Sequence, residues 1–114
     1  MVKLSRSDIR YIEDAVSFPY GRGYVLDFSD RTIAEFFEDE FGIDIGDERY
    51  QERGTSKRNR LICLLEKTDA RTAARVLRTL WDRREVLIAR AGDASPEGED
   101  GTKLSFLNII RKID

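Results

Sequence analysis

"DFSDRTIAEFFEDEFG", Asp27 to Gly42, is the stretch that decides the fold. Ser29 stands where a helix N-cap belongs, its hydroxyl ready to accept a backbone N–H one turn on, with Asp30 just inside the positive end of the helix dipole. Phe28 and Ile33 take the N′ and N4 positions of a hydrophobic staple. Ile33, Phe36, Phe37 and Phe41 form an apolar stripe, and Gly42 falls where a left-handed C-cap belongs. A phenylalanine stripe at this spacing is core rather than a cofactor site. The helix needs other helices against which to bury it.

Those helices are legible on both sides. "SRSDIRYIEDAVSF" places Ile9, Ile12 and Val16 on one face, with Ser7 expected as N-cap and Asp8 following in the first turn. "FPYGRGY" breaks this helix at Pro19, Gly21 and Gly23. "YVLDF" reads as a short extended piece with Tyr24, Leu26 and Phe28 on one face. After Gly42, Ile43 and Ile45 are expected to tuck into the core edge. A third helix begins near Thr55 or Ser56 and carries Leu61, Leu64 and Leu65 inward. A fourth starts at Thr68 or Asp69 and runs about six turns to Gly92, with Ala73, Val76, Leu77, Leu80, Trp81, Leu87 and Ile88 as its apolar side. "GDASPEGEDGT" is a linker by composition, and "KLSFLNIIRKID" resumes an amphipathic pattern. The expectation is an all-α, compact bundle of about five helices with at most a short extended element. Its parts are a helical interaction domain over 1–92, a linker over 93–102 and a terminal helix over 103–114 that reads as cut from a longer chain.

A length of 114 residues suits one domain. No run of 18 apolar residues is present, and "MVKLSRSDIR" lacks the apolar core of a signal peptide, so a cytoplasmic protein with no membrane partner is expected. The one cysteine, Cys63 in "LICLL", excludes an internal disulfide and reads as a buried small hydrophobe.

The absence of histidine removes the commonest general base and zinc ligand. No GxxxxGK[ST] or GxGxxG phosphate loop occurs. "EDE" and "GIDIGDE" lack EF-hand spacing and read as a solvated acidic face. No catalytic residue, cofactor or metal is therefore assigned, and a non-enzymatic role is expected.

Charge is the remaining signal. Charged residues make up 37% of the chain, well above the usual quarter or so, and they are segregated. Asp27 to Glu52 carries ten acids against two arginines, whereas Arg53 to Arg90 carries eleven bases against four acids. Within the second block, "RGTSKRNRL" puts Lys57, Arg58 and Arg60 at a helix start, where the dipole prefers anions. Arg71, Arg75 and Arg78 form a stripe on the fourth helix. One reading is a protein-interaction module: Lys57, Arg58, Arg60, Arg71, Arg75 and Arg78 form one contact surface, and Glu38, Asp39, Glu40, Asp47 and Glu48 its complement. Such surfaces pair head to tail with a copy or a related domain. The alternative is nucleic-acid binding by the basic residues, disfavoured by a pI near 5.3 and by the acidic block. A third reading is that the two blocks are solvated and compensate one another.

"GYVLDFSDRTIAEFFEDEFGIDIGDERYQERGTSKRNRL", Gly23 to Leu61, followed by "VLRTLWDRRE", Val76 to Glu85, resembles the small N-terminal modules of bacterial abortive-infection proteins of the AbiJ type. The resemblance covers roughly residues 5–90. It implies an attachment module placed ahead of a separate effector in anti-phage defence, with no catalytic residue. By architecture and charge alone, the pattern also invites comparison with death-fold adaptors such as CARD domains.

Overall fold

Ser5, not Ser7, opens the first helix, α1 (Arg6–Val16): its hydroxyl accepts from the Asp8 N–H and the Asp8 carboxylate accepts from the Ser5 N–H, both at 3.0 Å. The reciprocal pair needs an acceptor three residues after the cap. From Ser7 that position is Arg10, which can only donate. The computed structural model describes residues 2–18, 20–21, 23–91 and 96–113, with the backbone alone for 91 and 96–102. Pro19, Gly92, residues 93–95 and Asp114, on which the expected break, helix end, linker and chain end fall, lie outside the described residues.

α2 (Asp30–Phe41) has the ends expected of it. Ser29 accepts from the Thr32 N–H at 3.1 Å, and Thr32 returns the bond by accepting from the Ser29 N–H. Gly42 closes it at φ 66°, a left-handed conformation that costs glycine little. The segment before α2 is a turn rather than an extended piece. Val25 and Leu26 are both fully buried, which breaks the alternation, and Leu26 takes φ 50° while its N–H donates to the Val16 carbonyl at the end of α1. The bond satisfies a helix-end carbonyl that has no partner within α1.

A 3₁₀ turn at Glu48–Tyr50 precedes α3 (Lys57–Lys67), capped by Ser56. In α4 (Ala70–Ala91) the Asp69 carboxylate accepts from the Thr72 N–H at 2.7 Å. α5 (Pro96–Ile113) begins within the stretch read as a linker. Proline suits a first helical position, where its missing N–H has no partner to lose.

The core is one continuous cluster. Ile12 and Val16 of α1, Ile33 and Phe37 of α2, Leu61, Ile62, Leu64 and Leu65 of α3, and Val76, Leu77, Leu80 and Trp81 of α4 meet there with Ile45. α5 belongs to it through Phe106, Ile109 and Ile110, with the Phe106 and Trp81 rings 5.0 Å apart. Among the described residues the fold is a compact all-helical bundle of five α-helices without strands, and its radius of gyration of 13.3 Å is that of one domain of this length.

α4 shares the central place with α1, each touching the other, α3 and α5. It also closes two helix ends. Arg84, itself buried, donates to the Ala15 carbonyl in the last turn of α1 at 2.8 Å, and Arg75 donates to the Glu40 carbonyl in the last turn of α2 at 2.9 Å. Each guanidinium meets the negative end of a helix dipole. No helix among the described residues is long and apolar enough to cross a membrane.

Candidate functional site

The three cations at the start of α3 are engaged within the bundle. Arg60 and Lys57 reach Asp30, in the first turn of α2, at 2.8 and 3.7 Å, and Arg58 reaches Glu13 of α1 at 3.2 Å. Lys57 also lies 4.6 Å over the Tyr24 ring. The three side chains are only 13–24% exposed. The N–H groups of this turn are also used: Asn59 donates to the Ser56 hydroxyl and Arg58 to the Gly23 carbonyl. A phosphate arriving here meets few vacant donors. The acids nearer in sequence serve the rest of α3, Glu66 pairing with Arg53 at 2.9 Å and Glu52 with Lys67 at 2.8 Å.

The remaining sequence-predicted residues come together elsewhere. Arg71, Arg75 and Arg78 are exposed along α4, and Glu38, Asp39 and Glu40 are exposed on the last turn of α2. The Arg75 bond to the Glu40 carbonyl joins the two groups, so the basic stripe and the acidic helix end are neighbouring edges of one seam. Asp47 and Glu48 stay outside it. Asp47 caps the 3₁₀ turn, where the Arg49 N–H is the main cause holding its carboxyl below the ordinary value, and Glu48 is solvated.

Between those edges lies an aromatic floor that the sequence reading assigned wholly to the core. Phe36 and Phe41 are only half-buried. The Arg75 guanidinium stands 5.3 Å over Phe41, and Arg83 stands 4.4 Å over Phe28 and 6.0 Å over Phe36, steadied by Asp27 at 3.1 Å. Arg83 also lines a shallow cavity of about 230 Å³ with Asp82, Val86, Leu87 and Arg90, in which Val86 is 49% exposed. The sequence reading passed over this region; the signal that could have found it is Val86, an apolar residue off the buried register of α4. A surface of phenylalanine faces and arginine planes resembles the anchor chemistry of protein interfaces, where each ring offers area and each guanidinium a planar donor set.

Two other depressions are polar. One of about 310 Å³ is lined by Arg10, Glu13, Asp14, Ser17, Gly21 and Arg58, and one of about 320 Å³ by Gly42, Ile43, Asp44, Asp47, Arg49 and Tyr50. Carboxylates and guanidiniums offset one another in both. No carboxyl or thiol in either has a histidine to act on, since the chain has none. Among the described residues no group of three or more His, Cys, Asp or Glu side chains is positioned to hold a metal ion. Cys63 is buried, with its sulfur against the Arg49 carbonyl.

No protein-family model matches the chain, and neither does any curated protein or solved structure.

Proposed function

We propose that this chain is a non-enzymatic protein-interaction module, an adaptor of the kind found ahead of an effector in bacterial abortive-infection proteins, and that it engages protein through the α2–α4 seam. The observation that carries this reading is the half-buried Phe36–Phe41 floor under Arg75 and Arg83, flanked by acids on one edge and arginines on the other. Half-buried aromatic area beside fixed guanidiniums favours a protein partner, because it combines desolvated contact with directional donors. The defence role is supported by the sequence pattern of Gly23 to Leu61 and Val76 to Glu85 alone.

The same arginines could contact phosphates, but Glu38, Asp39 and Glu40 stand beside them and repel a polyanion. A photo-cross-linking residue at Val86, in cells producing the protein, separates the two. A protein adduct that Arg83→Glu abolishes is the expected outcome. A nucleic-acid adduct, or none, contradicts the reading.

A further inference from the structure

We infer that the seam is self-complementary and that its occupant is a second copy of this chain, docked about a two-fold axis running along the seam. The inference rests on the interaction-module reading and adds to it the identity of the partner and the geometry of docking.

If the acidic and basic surfaces lay on opposite sides of the bundle, copies would join head to tail and the contact would propagate. Here the edges are neighbours instead, since Arg75 of the basic stripe bonds directly to the last turn of α2, where Glu38 and Asp39 are exposed. A two-fold axis in the plane of contact, parallel to the seam, exchanges its two edges. The acidic edge of each copy then faces the arginine edge of the other, both sets of charges are matched, and the contact closes at two. The midline brings Val86 and the half-buried Phe36 and Phe41 rings, with the Arg75 and Arg83 guanidiniums over them, against those of the partner, which supplies contact area that charge alone does not. An axis across the seam would oppose like charges and is disfavoured.

Sedimentation velocity of the full chain, over a range of concentrations and at low and high salt, tests this. The wild type is expected to pass from monomer to dimer with no larger species, and salt is expected to weaken the dimer. Arg71→Glu with Arg78→Glu makes both edges acidic, and Glu38→Lys with Asp39→Lys makes both basic. Each double variant is expected to weaken self-association by about tenfold or more. Mixed in equal amounts, the two restore a dimer. The lysine pair adds cations near a helix C-terminus, where the dipole favours them, so loss of folding does not mimic the effect. Leu104→Ser, at a 64% exposed residue of α5, a helix that contributes none of the named seam residues, is expected to leave the dimer unchanged.

Growth beyond two in the wild type overturns the two-fold arrangement while leaving a seam-dependent module. A wild type that stays monomeric while Val86 still cross-links to another protein overturns self-docking and keeps the module. A monomer with no adduct at Val86 removes both.

Discussion

Asp30 holds together more of the molecule than its 77% side-chain exposure suggests. It lies at the positive end of α2 and accepts Arg60 and Lys57 from the start of α3, so one carboxylate relieves the unfavourable cations of one helix while suiting the dipole of another. Reversing Lys57 and Arg58 to glutamate is therefore expected to destabilise the fold, by about 1 kcal/mol or more, since two pairs are lost and like charges are opposed. Urea unfolding measures this, and unchanged stability would show that the cations are spare. Phe37, fully buried between Phe36 and Phe41, is the opposite case. Its replacement by alanine is expected to cost about 3–5 kcal/mol, as large-to-small changes in a core do. Phe37 was legible from spacing alone. The partners of Arg60 and Arg58 were not, because Asp30 and Glu13 are far away in sequence and the eight acids from Glu35 to Glu52, all nearer, looked equally able to pair.

Among the elements, those with local signals read best. Ser29 and Gly42 bound α2 because a cap needs only the residues beside it. Two serines, Ser5 and Ser7, stand at the start of α1, and the choice between them depended on the Asp8 carboxylate three residues after Ser5. α5 begins at Pro96, earlier than its apolar pattern shows, because Gly98 and Gly101 made residues 93–102 look like a linker. The far end of α5 is tied to α1 by Lys112, whose ammonium lies 2.8 Å from Asp8. Burial works against the charged form of Asp8, but the bonds from Lys112 and Ser5 outweigh it and hold the carboxyl below its ordinary value. A carboxyl depressed in the folded state stabilises the fold above its unfolded pKa, about 3.9, and that contribution fades as pH falls through the lower folded value. The stability lost in Asp8→Asn is thus expected to shrink as pH falls from about 5 toward 3. A thermal-melt series across that range checks it, and a pH-independent difference would remove the pair from the account of α5. Amide exchange in the last turn of α5 is likewise expected to quicken in Lys112→Ala, with little change in α3.

For the whole molecule, the segregation of charge along the chain becomes compensation in space. The acid-rich segment packs beside the basic one, through Asp30 at one end of α2 and the Glu40 carbonyl at the other. The bundle itself was legible from five periodic segments. The seam was not, because what joins its edges is an arginine bonded to a backbone carbonyl 35 residues away, and such a contact leaves no pattern in sequence. The proposed role depends on that seam rather than on the start of α3. Nitrogen–proton correlation spectra recorded through a dilution series separate the two surfaces residue by residue. If copies dock as proposed, shifts gather at Phe36, Glu38, Asp39 and Phe41 of α2 and from Arg71 to Val86 along α4, and added salt reproduces them. Shifts centred on Lys57, Arg58 and Arg60, or spectra unchanged by dilution, would contradict it.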